Sequence, residues 1–364
     1  MAYPSKDLPP RQTVPSRQSR LPMQRRNPPT RLRRGVVENP KPLNGFKVLA
    51  HIHLYPPSHN AGAEWMLHAL LRYGKEVRGW DVQVITDHLP KRSDEWQGIK
   101  VRHDRNINNL TIEYRFSNVI ITHLDATRKA VQLAGRAGRP VAHLVHNDSQ
   151  LHFHKVQQNQ CALAIFNSAW LREAYQWPGR QVVLHPPTRV VDYQIDPGGS
   201  MVSLLNLMAA KGSSTFYEVA KRNPSLDFLG VKGSYGAQEM PPVGMANVEV
   251  IGNQADVVSN VYERTRVLLV PSHYESWGRV AVEAACSGIP SICAPTPGLR
   301  EAGVAAAFCN PDDIDGWNKA LRRLMRSQGA WEEASAIAKE RALELDGLVE
   351  AQLAETADHI EDLG

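Results

Sequence analysis

Short apolar runs that are unbroken rather than alternating restrict this chain most. A strand apolar on both faces needs a parallel sheet covered by helices on both sides. The clearest case lies in Val267 to Ala302, VLLVPSHYESWGRVAVEAACSGIPSICAPTPGLREA. Val267 to Val270 form such a run, and Pro271 and Ser272 stop it. Gly278 through Cys286 reads as a helix in which Ala281, Ala284 and Ala285 permit close packing, with Gly288 and Pro290 as its stop. Ser291 to Ala294 is the next strand. The segment is therefore a βαβ unit. Ligands of such open sheets sit beyond the carboxyl ends of the strands, where the loops carrying Glu275 and Gly298 fall.

The same pattern runs through most of the 364 residues, long for one domain and comfortable for two. Phe46 to Ile52, Asp81 to Thr86, Val119 to Thr122, Val141 to Val145, Leu163 to Phe166 and Val182 to His185 read as one parallel sheet. Between the first two, Met66, Ala69, Leu70 and Tyr73 recur at helical spacing. Asp196-Pro197-Gly198-Gly199-Ser200 is a polar linker, after which Val202 to Leu205, Phe228 to Val231 and Val248 to Gly252 restart the pattern. The expected organisation is a tail over 1–44, a Rossmann-like lobe over 45–198, a second over 199–340 and a terminal helix over 341–364.

Residues 1–44 hold nine prolines and ten Lys/Arg against Asp7 and Glu38, a net of +8. They bury too little apolar surface to offset chain entropy, so a disordered basic tail is expected, either merely solubilising or a contact for an anionic membrane surface, an acidic partner or nucleic acid. The whole chain carries +5, so the remainder is net −3, and the global charge is no argument for a nucleic-acid-binding body. Cys161, Cys286, Cys293 and Cys309 sit in or beside apolar runs without metal-ligand spacing, which suits a reducing cytoplasm. No apolar run approaches the length of a membrane span, and the first residues lack a signal peptide's apolar core. A cytoplasmic protein, at most membrane-peripheral, is expected.

Glu275 stands in the loop before a helix and Glu283 eight residues on inside it. Alone, the first could cap the helix and the second sit on a solvated face. Their frame, Pro271, Ser272, Glu275, Gly278, Glu283, Ala284, Gly288 and Pro290, followed by Pro297-Gly298-Leu299-Arg300-Glu301, closely resembles the donor-site block of retaining GT-B glycosyltransferases of the family 4 type. The resemblance implies an α/β GT-B fold, two Rossmann-like lobes facing across a cleft, with the acidic last helix crossing back to the first lobe. It also implies transfer of a sugar from a nucleotide-diphosphate sugar, UDP- or GDP-linked, to a glycan, lipid or protein acceptor with retention of configuration. No cofactor and no metal are required. By the same resemblance Glu275 would hold a donor-sugar hydroxyl and Glu283 the ribose. Lys211 would meet the diphosphate and the amides of Gly298, Leu299 and beyond the sugar. His146 would lie beside the donor sugar, with Ser276, Trp277, Gly278 and Arg279 completing the donor loop.

Asn206-Leu207-Met208-Ala209-Ala210-Lys211-Gly212, leading into a helix opened by Ser213 and Ser214, offers one lysine and free amides to a phosphate. The resembled family often has Arg-x4-Lys-Gly here, and Asn206 replaces its arginine. The missing charge leaves Lys211 with less help or shifts the task to Lys232, Arg279 or Arg300. Lys232-Gly233 opens a glycine-rich turn where, by the same resemblance, the nucleotide would approach the backbone, and the resemblance puts Gly252 to Asp256 near the base. His59-Asn60-Ala61-Gly62-Ala63-Glu64 resembles the family's Gly-Gly-Ala-Glu loop with its second glycine shifted or missing, so Gly62 is the donor-side candidate.

His143, His146, His152 and His154 could suggest zinc, but no Cys or acid completes a convincing ligand set and histidine is frequent throughout the chain. Asp313-Ile314-Asp315 spells D-x-D, yet it reads better as a helix N-cap and first turn. The rivals are a nucleotide-sugar epimerase or hydrolase of the same fold, and a degenerate binding protein, for which Asn206 is the one support.

Overall fold

The computed structural model describes residues 45–364 apart from 58, 60, 89–93, 104–106, 124–125 and 148–159. The expected basic tail lies outside the described residues, as do Asn60, His152 and His154. In chain order the first half contains β1 (Lys47–Ile52), α1 (Gly62–Glu76), β2 (Asp81–Thr86), β3 (Asp94–Trp96), β4 (Ile99–His103), α2 (Ile107–Phe116), β5 (Val119–His123), α3 (Thr127–Ala137), β6 (Val141–Val145), β7 (Leu163–Phe166), α4 (Ala169–Tyr175), β8 (Arg180–Val183) and α5 (Val190–Tyr193). The second half contains β9 (Met201–Leu205), α6 (Ser213–Lys221), β10 (Phe228–Val231), β11 (Val248–Ile251), α7 (Val257–Asn260), β12 (Thr265–Val270), α8 (Arg279–Cys286), β13 (Ser291–Cys293), α9 (Pro297–Ala302), β14 (Ala305–Phe308), α10 (Ile314–Arg326) and α11 (Gln328–Glu361).

The strands form two sheets, ordered β3-β4-β2-β1-β5-β6-β7-β8 and β11-β10-β9-β12-β13-β14. Every pairing is parallel except β3 with β4. The unbroken apolar runs explain this, since β5, β6, β7 and β10 are buried at every position. The chain leaves β1 toward β2 on one side and later reaches β5 on the other, and it does the same from β9 toward β10 and then β12. Each sheet thus has one switch point where flanking loops diverge and open a crevice.

Apolar clusters cover both faces of both sheets. Helix α11 joins two of them: Ala338, Ala342 and Leu345 pack with α8, whereas Val349, Leu353, Ala357 and Ile360 pack with β1 and α1. Its end is clasped by Arg78, whose guanidinium donates to Asp358 at 2.7 Å and to Glu361 at 2.9 Å, and Trp80 Nε1 donates to Glu361 at 2.7 Å. Among the described residues no helix is long and apolar enough to cross a membrane. Strands β3, β4 and β14 have no counterpart in the apolar runs of the sequence.

Candidate functional site

The second sheet's switch point lies between β9 and β12, and each strand delivers one charged group to it. Lys211 ends the 3-10 turn Ala209–Lys211 after β9, and Glu275 lies in the loop after β12. Lys211 Nζ sits 2.6 Å from Glu275 Oε1, and Ser272 Oγ donates to the same oxygen at 2.8 Å. Both side chains are largely enclosed, at 22% and 15% exposure. Burial alone would lower the Lys211 pKa, but the adjacent Glu275 carboxylate overrides it and leaves the net shift upward, so the ammonium stays charged.

Two glycines let these loops meet. Gly212 has a left-handed backbone, φ +81°, and a Cβ there would run into the carbonyl oxygen of Pro271. At Gly298 a Cβ would strike the backbone of Glu275 and Ser276, so the first turn of α9 rests directly on the carboxylate's own loop. Thr296 caps that turn by accepting from Leu299 N, and the Leu299 side chain closes over Gly278.

Glu283 lies one α8 turn deeper and is 6% exposed. Arg279 Nε is 2.7 Å from one of its oxygens, and Tyr262 Oη donates to the other at 2.7 Å. Arg279 also donates to Tyr193 Oη at 2.8 Å and lies over the Trp65 ring at 5.7 Å. Gly62, at the start of α1, faces the Arg279 side chain.

Asn206 stands left-handed at φ 75°. Its Oδ1 accepts from Met208 N and from Gln238 Nε2, each at 3.2 Å, while Gln238 Oε1 accepts from Leu207 N and Gly233 N. Gly233 abuts the Asn206 side chain. Asn206 therefore shapes the β9 and β10 loops and presents no charge. Of the three cations named for the arginine's task, Arg300 donates to Pro295 O and stacks on Phe308, and Arg279 is engaged as described. Among the described residues the Lys232 ammonium has no partner.

On the first lobe, His146 follows β6 and His123 ends β5, their rings 5.3 Å apart. Burial pushes both imidazoles down to about 3, so both are neutral. Both His123 ring nitrogens, His146 Nε2 and Glu64 Oε2 are buried with no hydrogen-bond partner among the described residues. His59 Nδ1 lies 3.2 Å from Glu64 Oε1, and that carboxylate raises the His59 pKa against the opposing effect of burial. His143 is buried within β6.

Asn167 and Trp170, which sequence reasoning did not single out, tie the lobes together with His185 and with Glu301 of the resembled turn. Asn167 Nδ2 donates to Ser276 Oγ at 2.7 Å, and Trp170 Nε1 to Ser276 O at 2.8 Å. Glu301 accepts from the amides of Ala169 and Trp170 at 2.7 and 2.9 Å and pairs with His185 at 2.7 Å. The His185 ring stacks on Trp277 at 4.1 Å. Burial would raise the Glu301 pKa, but the His185 contact and the two amides outweigh it and hold the carboxyl below its ordinary value. The one available signal was Asn167-Ser168 at the end of a buried strand, a helix cap by type.

A cavity of about 650 Å³ opens beside Arg279, walled by α1, α5, α11 and the segment Ala255 to Val258. A smaller one, about 250 Å³, lies between β14 and α10 and shares no residue with this site. Asp313 caps α10 by accepting from Gly316 N at 2.9 Å, and Asp315 pairs with Arg222. Among the described residues no three His, Cys, Asp or Glu side chains converge as a metal site would require.

Residues 244–342 match the family described as Glycosyl transferases group 1. A glycogen synthase from Mycobacterium tuberculosis is 35% identical over 81 residues, 21% of this chain and 20% of that protein. A D-inositol 3-phosphate glycosyltransferase from Mycolicibacterium gilvum is 27% identical over 171 residues, 40% of this chain and 39% of that protein. The alignments thus span well under half of either relative's own length. Among solved structures, Anabaena Alr3699/HepE in complex with UDP and glucose superposes with a TM-score of 0.64 at 16% identity, covering 85% of this chain and 99% of that one. At that identity the likeness is one of fold, and the fold is GT-B.

Proposed function

We propose that this chain is a glycosyltransferase that moves a sugar from a UDP- or GDP-linked donor to an acceptor with retention of configuration and without a metal ion. The observation that carries the reading is the Lys211 to Glu275 contact of 2.6 Å at the switch point of the second sheet. A paired cation and carboxylate there suit a donor whose phosphates need positive charge and whose sugar offers hydroxyls. The glycogen synthase and inositol-phosphate glycosyltransferase relatives, and a neighbour solved with UDP and glucose, support the same class.

In this reading the bond between the anomeric carbon and the diphosphate oxygen breaks while the acceptor oxygen attacks from the same face. The departing diphosphate takes the acceptor's proton. Lys211 and the amides opening α6 stabilise the charge that develops on the leaving group, and the amides near Gly298 and Leu299 and the Glu275 carboxylate hold the sugar. His146, neutral at physiological pH, offers a hydrogen bond beside the sugar. Glu283 receives the ribose, and Gly62, Lys232 and Gly233 border the nucleotide.

A thermal-shift and hydrolysis screen of the full chain against UDP-, GDP-, ADP- and TDP-sugars, with and without EDTA, tests this. One donor at about a hundred times its Kd should stabilise the chain by roughly 2.7 kcal/mol, and its turnover should persist in chelator. No shift and no hydrolysis across the panel would leave a binding protein of GT-B fold as the better description. Activity lost in EDTA and restored by manganese would remove the metal-free mechanism.

A further inference from the structure

Helix α2 is apolar on two opposite sides. Leu110 and Tyr114 are wholly buried and share a core cluster with Ala130, Leu133 and Ala134 of α3. Ile112 and Phe116 stand two residues on from these, about 200° round the helix, and are 54% and 69% exposed. This outward pair at helical spacing contributes nothing to the core. Cations surround it. Arg115 is exposed beside Phe116, Arg139 donates to the Arg115 carbonyl, and Arg136 is exposed in the last turn of α3. The acid within α2, Glu113, is paired with Arg102.

The position of this patch matters as much as its composition. Strands β4 and β5 run parallel within the first sheet and end toward the crevice, so α2 between them runs back and ends at the opposite edge. There Lys47 N donates to Asn118 Oδ1 at 2.8 Å, so the segment 1–44, net +8, joins the body two residues from Phe116. The acids described at this edge are Asp81, on the far side of β1 from β5, and the carboxylate of Gly364, which abuts Asn118 and Phe46. Glu361 and Asp362 are paired with Arg78 and Arg180. The balance of charge stays strongly positive.

We propose that the outward face of α2, formed by Ile112, Arg115 and Phe116, docks on an anionic lipid surface together with the basic segment that joins the body beside it. Phe116 and Ile112 enter the headgroup boundary while Arg115, Arg136 and Arg139 meet lipid phosphates, as in helices that lie in a membrane interface. Each basic residue near such a surface strengthens binding by about fivefold, and stable attachment takes a second, apolar signal. The segment 1–44 supplies the first and the Ile112 and Phe116 pair the second. A nucleic acid or an acidic protein would use the cations and leave the apolar pair unexplained. Since the patch lies at the strand-start edge, docking leaves the crevice free.

The test is flotation of the full chain with phosphatidylcholine vesicles, with and without an equal share of phosphatidylglycerol, at low and high salt. Binding should require phosphatidylglycerol and weaken as salt screens the cations. Phe116→Ser should lower the vesicle affinity by roughly tenfold or more, the size expected when a phenylalanine no longer leaves water. Ile112→Ser should lower it too, and Phe116→Trp should keep it. Both side chains lie outside the core, so these variants keep the fold. Equal binding of Phe116→Ser and the unaltered chain would make the segment 1–44 the whole contact and overturn the proposal. Equal affinity for the two kinds of vesicle would overturn it as well. So would failure to bind either kind, whether or not the chain then retains single-stranded RNA in a filter assay.

Discussion

Glu275 stands in the loop and Glu283 eight residues on within α8, in different surroundings, and they should fail differently. Glu275 touches Lys211 and Ser272, so Glu275→Gln keeps the shape and removes charge where, on the proposed reading, the sugar reacts. Transfer should slow by about 2 to 4 kcal/mol of transition-state stabilisation, roughly 30- to 1000-fold, with nucleotide affinity little changed. Glu283→Gln should chiefly weaken nucleotide diphosphate binding, by about 10- to 150-fold for a charge-assisted hydrogen bond of roughly 1.5 to 3 kcal/mol. Single-turnover rates and calorimetric affinities for both variants separate the roles. If neither changes tenfold in either quantity, the assignment is wrong. Glu275 and Lys211 were legible because each sits in a local frame of Pro, Ser and Gly. Tyr193 and Tyr262 were not, since they meet Arg279 and Glu283 from 86 and 21 residues away and nothing in their own neighbourhoods marks them.

At the scale of elements, the site depends on α9 resting on the Glu275 loop with no side chain between. Gly298→Ala would thrust a Cβ into the backbone of Glu275 and Ser276, so it should cost roughly 1 to 3 kcal/mol and reduce turnover along with stability. Gly347→Ala is the control: it lies within α11 with no atom near a new Cβ and should raise stability by about 0.5 to 1 kcal/mol. Equal melting temperatures for Gly298→Ala and the unaltered chain would show that α9 does not bear on that loop. The buried strands were readable because unbroken apolar runs leave few alternatives, and Asp81–Thr86, Val141–Val145, Leu163–Phe166 and Phe228–Val231 agree to the residue. The strands missed share the opposite character. Ile99–His103 alternates with Lys100 and Arg102 beside the three-residue Asp94–Trp96, and Ala305–Phe308 is a half-exposed edge of alanines, so their pairing comes from neighbouring strands rather than from their own composition.

For the molecule as a whole, Glu301 is the test of how firmly the lobes hold together. Its carboxyl is lowered in the folded chain, so its contribution is complete above the unfolded value near 4.5 and is lost as pH falls through the folded one. Glu301→Gln should therefore melt below the unaltered chain at pH 7 and still at pH 5, and the gap should close on further acidification. A gap that stays constant to pH 3 would show that the carboxylate's charge plays no part in the contact with His185, Ala169 and Trp170. The segment from β8 to β9 and helix α11 are two separate crossings between the lobes. With the backbone crossing at two places, rotation about the line through both is the easiest motion once the side-chain contacts at Ser276 and Glu301 release. Opening of the crevice should then be a swing on that axis, largest at the rim farthest from the two crossings and smallest beside them, with sliding and twisting suppressed. On the proposed reading, product would leave by the wide rim, while the groups nearest the axis keep their mutual spacing.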